Sequence, residues 1–451
     1  MKKVRRLLWL ALLVFSSIKF SFPQGTLTLT LEESIRLALA QNPNYLATEE
    51  KVETARAQVR EAAASFFPSL NAQGLQTLDE KLFVLEFPSF VPGQPPQRMS
   101  IDFTKDYQFS LSLTLPIFTS GRLTSGFKQA NYNLLSTEEG VRQSKQTTVF
   151  NTKQAFYSCL LAEKFVKVAE EAVEVAEKHY KNVKSLYEVG MASKFDLLRS
   201  EVQVANLKPQ LIRTRNSLKI AELALKILLG LDLSQPVEIK GELAFEPFEP
   251  DLEESIAKAL SARPEVSQVR YQKEMAGEML KMARASNLPT VALSGLYNFW
   301  ADNLNFQKDN WQSYYTINLA FSIPIFNGFV TSARVAQSKA MIKEIEFADK
   351  GLQEMIKFEV RQAILKLKEA HESLLSQEKN VEQAQESLRI AELNFSEGMA
   401  TTLDVSSAQA ALSQAKTNYS QALYDYVISR AQLEKAMGVD LEGMNAEAKK
   451  E

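Results

Sequence analysis

Cysteine is nearly absent from this chain. Cys159 is the single one in 451 residues, which excludes an internal disulfide and any metal cluster built on thiolates. Histidine is almost as scarce: His179 and His371 stand alone. Both are flanked by Lys and Glu, a setting expected of solvated helix faces and not of a general base or metal ligand. No phosphate-cradling glycine loop, nucleophile elbow or cluster of metal-type ligands is present, so neither catalysis nor a cofactor or metal is expected. Long apolar runs are missing too. Past residue 25 no window approaches 18 uninterrupted apolar residues, so no helix is expected to cross a membrane and any crossing must use strands. An excess of positive charge is also lacking. The formal charge is −2, and without Lys2, Lys3, Arg5, Arg6 and Lys19 it falls to −7, a mildly acidic balance that argues against nucleic acid as a partner.

What is present is organised around residues 315–404. Tyr315, Ile317, Leu319, Phe321, Ile323 and Ile325 alternate with Thr316, Asn318, Ala320 and Ser322, a period-two pattern that puts the large apolar side chains on one face of a strand. Pro324 and Gly328 close it. From there to about Glu397 runs a seven-residue repeat, Val360, Leu367, Leu374, Val381, Leu388 and Phe395, with Ala363, Ala370, Ala384 and Ala391 three residues after. That is a coiled-coil seam. About 65 residues of helix at 1.5 Å each reach roughly 100 Å.

The same stretch occurs twice. An offset of 208 carries Pro116-Ile117-Phe118 onto Pro324-Ile325-Phe326, Gly190-Met191-Ala192 onto Gly398-Met399-Ala400, Asp196 onto Asp404 and Gly230 onto Gly438. Upstream the offset is 221, matching Leu31-Glu32-Glu33-Ser34-Ile35 to Leu252-Glu253-Glu254-Ser255-Ile256, Pro43 to Pro264 and Gly74 to Gly295. The two offsets locate an insertion between Gly74 and Pro116. The chain is thus a tandem duplication of a unit of about 200 residues, too long for a solenoid repeat.

In chain order, residues 1–25 carry the basic start and short apolar run of a secretory signal. The first repeat, 26–230, opens with a helix over 31–67 interrupted at Pro43, where Thr30 and Glu33 have the spacing of a capping box. A strand pair at 69–78 and 105–118 follows, separated by a stretch (80–104) whose Pro88, Pro92, Pro95 and Pro96 predict an irregular exposed loop. A long helical hairpin then covers 123–229, with Cys159 inside its seam as a small buried hydrophobe. A connector spans 231–250. The second repeat, 251–438, has strands at 290–300 and 313–326 and a hairpin at 329–437; a charged tail, 439–451, ends the chain. At the hairpin turns Gly190 and Gly398 stand where a C-terminal cap needs positive φ. Ser193 with Asp196, and Thr401 with Asp404, have the spacing of a cap for the next helix.

The predicted fold class is therefore mainly α with a small β part: long helical hairpins joined to four strands. Aromatics cluster near the strand ends, as interfacial girdles require. Four strands close no barrel, since about eight are the smallest number that does, and a lipid-exposed open edge is not tolerated. Several chains must therefore contribute. A periplasm-spanning tether or a coiled-coil surface protein would use the same helices without a closed tunnel.

The paired motifs at fixed offset, the strand ends Pro116-Ile117-Phe118 and Pro324-Ile325-Phe326-Asn327-Gly328, and the turns Val189-Gly190-Met191 and Glu397-Gly398-Met399 followed by Asp196 and Asp404 resemble the TolC family of outer membrane efflux proteins. The resemblance implies a homotrimer whose twelve strands form one barrel in outer membrane lipid, above a helical tunnel through the periplasm. It further implies a periplasmic adaptor and an inner-membrane pump or transporter ATPase as partners, and thus the exit duct of a tripartite efflux or type I secretion system. Gly190, Met191, Gly398 and Met399 are then expected at the docking tips, and Asp196 and Asp404 at the periplasmic aperture. Ser407 stands where some members have a second aspartate, which points to a weaker constriction or a different ion dependence.

Overall fold

The computed structural model describes residues 27–79, 83–89, 91, 93–101, 106–305, 307 and 310–439. The expected signal segment and all but Val439 of the tail lie outside them. Along the chain run β1 (Leu27–Leu29), α1 (Leu31–Gln41), α2 (Pro43–Ala64), β2 (Ser69–Gln76), β3 (Phe83–Phe87), β4 (Gln97–Ile101), β5 (Tyr107–Phe118), α3 (Arg122–Glu188) and α4 (Lys194–Leu229). The second half holds β6 (Val237–Ile239), α5 (Leu252–Ala262), α6 (Pro264–Ala285), β7 (Thr290–Ala301), β8 (Gln312–Ser322), α7 (Val330–Ser396) and α8 (Thr402–Ala436). Two compact units result. One takes the described residues of Met1–Glu50, Gly140–Val266 and Gly351–Glu451, the other Lys51–Glu139 and Ser267–Lys350, so each draws on both halves of the duplication.

In the first unit the heptad positions become the core. Val360, Leu367, Leu374 and Leu388 of α7 are buried, as are Ala363, Ala370 and Ala384 beside them. From α3, Phe156 and Cys159 join Leu225 and Leu229 of α4 and Tyr426 and Leu433 of α8. Burial pushes the Cys159 thiol up to about 12, so it stays a protonated small hydrophobe. The ion pair of Lys153 with Glu434 at 3.4 Å is largely buried, whereas several others lie outside this core, Arg215 to Glu170 at 2.7 Å, Lys208 to Glu177 at 3.0 Å and Lys416 to Glu171 at 2.5 Å. Exposed pairs of this kind add little stability.

Two glycines fix the corners of this unit. Gly230 caps α4 at φ 69°, and a Cβ there would stand 2.4 Å from the Gln41 carbonyl oxygen. Asn42 at that corner donates from Nδ2 to the Leu228 carbonyl (2.7 Å) and accepts from the amides of Asn44 and Tyr45. Gly438, its duplicate, also has φ 69° and lies against the α5–α6 corner, with its Cβ position 2.9 Å from the Arg263 amide. Side chains would collide at both places.

The second unit is built on one antiparallel sheet in the order β2-β5-β7-β8. Ser69 pairs with Thr114 and runs to Gln76 with Tyr107, and Thr290 pairs with Ser322. The two duplicated strand pairs meet along β5 and β7, from Tyr107 opposite Ala301 to Phe118 opposite Val291, with a bulge between Pro116 and Phe118. Phe109, Phe299 and Trp311 cluster at one end with centroids 5.5–5.7 Å apart. Helix α2 lies on α3, where Gln58 accepts from Asn133 at 2.9 Å and Phe66 meets Phe127 edge-on. Lys273 of α6 reaches Glu346 of α7 at 3.0 Å.

Five expectations are corrected. Residues 80–104 are not wholly irregular: β3 and β4 form a hairpin, Phe87 opposite Gln97, because the prolines fall in the turn between them and remove no ladder donor. The second-half strand stops at Ser322, short of Ile325, since Pro324 has no amide to extend it. The connector contains β6, which pairs in parallel with β1. Thr30 accepts from the Glu33 amide at 3.2 Å, but no capping box closes, as the Glu33 carboxylate is taken by Arg36. Neither histidine stands on a fully solvated face. His179 is buried and His371 half-buried, because the faces they occupy meet aromatic rings, Phe395 for His179 and Phe245 for His371.

Candidate functional site: hairpin turns and open sheet

Both turns are built by the same local chemistry. Helix α3 ends in a Schellman arrangement: the Met191 amide donates to the Leu186 carbonyl (2.7 Å) and the Gly190 amide to that of Tyr187 (3.0 Å), with Gly190 at φ 79°. At the end of α7 the Met399 amide reaches Asn394 (2.8 Å) and the Gly398 amide Phe395 (3.1 Å), with Gly398 at φ 75°. Nothing lies within 4 Å of a Cβ built at either glycine. The requirement there is conformational, not spatial.

The next helices start in closed capping boxes. Ser193 accepts from the Asp196 amide at 3.1 Å while Asp196 Oδ2 accepts from the Ser193 amide at 3.4 Å. Thr401 and Asp404 repeat this at 3.3 and 2.8 Å. The Thr401 hydroxyl and then its amide hold the Asp404 carboxyl below its ordinary value. Each aspartate spends Oδ2 on its cap, and Oδ1 accepts nothing among the described residues. Each carboxylate sits in its own box; no hydrogen bond joins the two among the described residues.

Between the caps the turns expose apolar side chains. Met191 and Met399 are 78% and 73% exposed. Val189, Phe195 and Leu403 beside them are exposed as well, additions that the glycine and methionine pattern did not single out. Near these turns α3 meets α7 through His179 and Phe395, centroids 5.1 Å apart. Val405 of α8 packs with Leu388 and Phe395 of α7. The first unit thus carries both turns on neighbouring helix ends.

The sheet of the second unit offers a different surface. Among the described residues β2 and β8 each pair on one side only, leaving two rows of backbone groups unmatched. On β8 the side chains Tyr315, Ile317, Leu319 and Phe321 are all at least 66% exposed. Strands β5 and β7 have 12 residues each, which at about 3.3 Å per residue span an apolar band roughly 25 Å tall when tilted. Exposed Phe118 and Phe326 stand near one end of that band, and Tyr297, Tyr314 and Tyr315 near the other. Water is a poor solvent for such a face. Among the described residues no helix is long and apolar enough to cross a membrane, so the sheet is the element suited to lipid.

The profile of the family described as outer membrane efflux protein matches residues 34–231 and 255–439, one match to each half. The chain is 24% identical over 418 residues to the probable efflux pump outer membrane protein TtgC of Pseudomonas putida, spanning 90% of this chain and 82% of that one. With the alkaline protease secretion protein AprF of Pseudomonas aeruginosa it shares 23% over 359 residues, 75% of this chain and 72% of that. Its fold superposes on the crystal structure of CusC, whose description refers to transmembrane channel formation, with a TM-score of 0.74 at 19% identity over 94% of this chain and 96% of that. The chain belongs to the outer membrane efflux protein family.

Proposed function

We propose that this chain is the outer membrane exit duct of a tripartite efflux or type I secretion system, and that three copies close one barrel. The observation that carries this reading is the open four-stranded sheet with its exposed apolar face, joined in one chain to two helices of 67 residues. Unmatched strand edges in lipid cost several kcal/mol per orphan group. Only pairing of β2 in one copy with β8 in the next removes them all. Transport through such a duct is passive, and the energy comes from an inner-membrane pump or transporter ATPase. The names of TtgC and AprF point to pump-driven efflux and to protein secretion respectively. Both uses fit one duct, because the inner-membrane partner selects the cargo.

In this reading Gly190, Met191, Gly398 and Met399 dock a periplasmic adaptor. Exposed thioethers give adaptable apolar contact, and the Schellman turns hold them rigidly. Replacing Gly190 and Gly398 together by tryptophan is expected to abolish adaptor pull-down; undiminished capture would remove the turns from the interface. Asp196 and Asp404 face the periplasmic aperture with their free Oδ1 atoms. Conductance of Asp404→Ala is expected to lose sensitivity to divalent cations, and an unchanged response rejects the gating role.

The decisive test is single-channel conductance of the purified protein in a planar bilayer, with its mass in detergent. A trimer with discrete conductance is expected. A monomer that neither inserts nor conducts would favour a periplasmic tether.

A further inference from the structure

Within the second unit, a cleft of about 380 Å³ opens between the start of α3, the end of α6 and the start of α7. Met279, Met282 and Ala283 from α6 and Met341 from α7 give it a deformable apolar part, and Ser286, Gln337 and Ser338 complete the lining. Arg122 and Arg334 stand at its rim, both exposed. Their placement is unusual in two ways. Arg122 is the first residue of α3, where the helix dipole disfavours a cation, and Arg334 is the fifth of α7, just past its first turn. Neither guanidinium has an ion-pair partner among the described residues; Glu278, the carboxylate next to Met279 in sequence, is buried and held by Lys281 at 2.7 Å.

The first turns of α3 and α7 contain no acidic residue. Those of α1, α4, α5, α6 and α8 do, and α2 also has none. Two helix starts that favour an anion, two free guanidiniums and a thioether floor are complementary to one chemistry, an anionic group attached to an apolar chain. The neighbourhood names the source. Phe118 lies four residues before Arg122, and Phe326 and Phe329 lie eight and five before Arg334, all exposed. Exposed aromatics at strand ends mark the level of lipid headgroups, and arginine reaches from an apolar wall to the phosphate layer.

We propose that this cleft binds one anionic phospholipid, its phosphate held between Arg122 and Arg334 and an acyl chain lying on Met279, Met282 and Met341. The proposal rests on the reading of the chain as a membrane duct. A lipid seated there fixes how deep the sheet sits, because the strand-to-helix junctions are then tethered to the headgroup plane.

Native mass spectrometry of the detergent-purified assembly tests it, with dioleoylphosphatidylglycerol, dioleoylglycerol and inorganic phosphate added separately. The wild type is expected to retain the phosphatidylglycerol and neither of the others. The double variant Arg122→Gln/Arg334→Gln is expected to bind it about tenfold more weakly, since both charge-assisted contacts are gone. Met282→Ala/Met341→Ala should weaken it without altering the preference for the charged head. Equal retention by wild type and the arginine variant, or equal retention of dioleoylglycerol, overturns the proposal. Strong capture of phosphate alone overturns it too, leaving an ion site and no lipid site. Conductance of the wild type separates the two readings: a wild-type channel that conducts but retains no phosphatidylglycerol sinks this inference and spares the duct.

Discussion

His179 occupies the side of α3 that meets Phe395, and its Nε2 has no hydrogen-bond partner. Burial alone lowers its pKa below the ordinary 6.5. Two charged groups line the adjoining cleft, Lys178 on the same helix and Glu392 on α7; Val405 is the only contribution from α8. Because the folded state resists protonation, the unfolded chain takes up its proton first as the medium acidifies. Stability is therefore lost as pH falls from about 6.5 through the lower folded value. Melting curves at descending pH are expected to show this loss in the wild type and a flatter course in His179→Leu. At pH 7.5 the variant should melt no lower, since removing an unpartnered buried nitrogen relieves a desolvation cost. The glycines make a second, graded prediction. Gly190→Ala meets only backbone strain, about 1–2 kcal/mol. Gly230→Ala and Gly438→Ala add a collision with backbone and are expected to cost more, by about 1–3 kcal/mol. Chemical unfolding of the three variants ranks them. The turn pattern made the positive φ of Gly190 legible in the sequence, but not that of Gly230 or Gly438. It could not reveal the corners that press on Gly230 and Gly438, because those contacts join residues nearly 200 positions apart.

The helices were the most legible elements, since a heptad repeat states its own length and its buried face. Helices α3 and α7 each run 67 residues, and most of the α7 seam positions read from spacing are buried, with Val381, Ala391 and Phe395 half-buried. The caps at the hairpin turns were equally readable, because a Ser/Thr-x-x-acid box is a local bond between near neighbours, although at Thr30 the ion pair of Glu33 with Arg36 kept the same pattern from closing. Thr401→Ala is expected to destabilise the start of α8 by about 1 kcal/mol, measured as faster amide exchange over the first turn with the rest of the helix unchanged. Short strands were harder to see. Three residues, as in β1 and β6, carry no periodicity, and their parallel pairing depends on a partner far along the chain. The β3–β4 hairpin was obscured by prolines that interrupt composition without interrupting the ladder. Histidine burial was missed for the same kind of reason: flanking charges describe a helix face in isolation, and the opposing helix decides whether that face is wet.

For the whole molecule, the open sheet dictates what single substitutions do. Ile317 stands on the exposed apolar face of β8. A lysine there is expected to cost about 2–4 kcal/mol at the bilayer midplane. Ile317→Lys should therefore keep its helical circular dichroism in detergent yet fail to enter liposomes, and efficient entry would contradict a lipid-facing β8. That four strands leave two edges was already visible in their number; that the duplicated pairs join through β5 and β7 was not, because alternation assigns faces and leaves neighbours open. The pairing of β1 with β6 has a further bearing, on synthesis. Leu27 meets Val237 and Leu29 meets Ile239, so the residues of β1 wait for some 210 others to be made before their ladder closes. Until then the amino-terminal end is a loose thread, and the first repeat cannot lock itself before the ribosome has passed the join between the two.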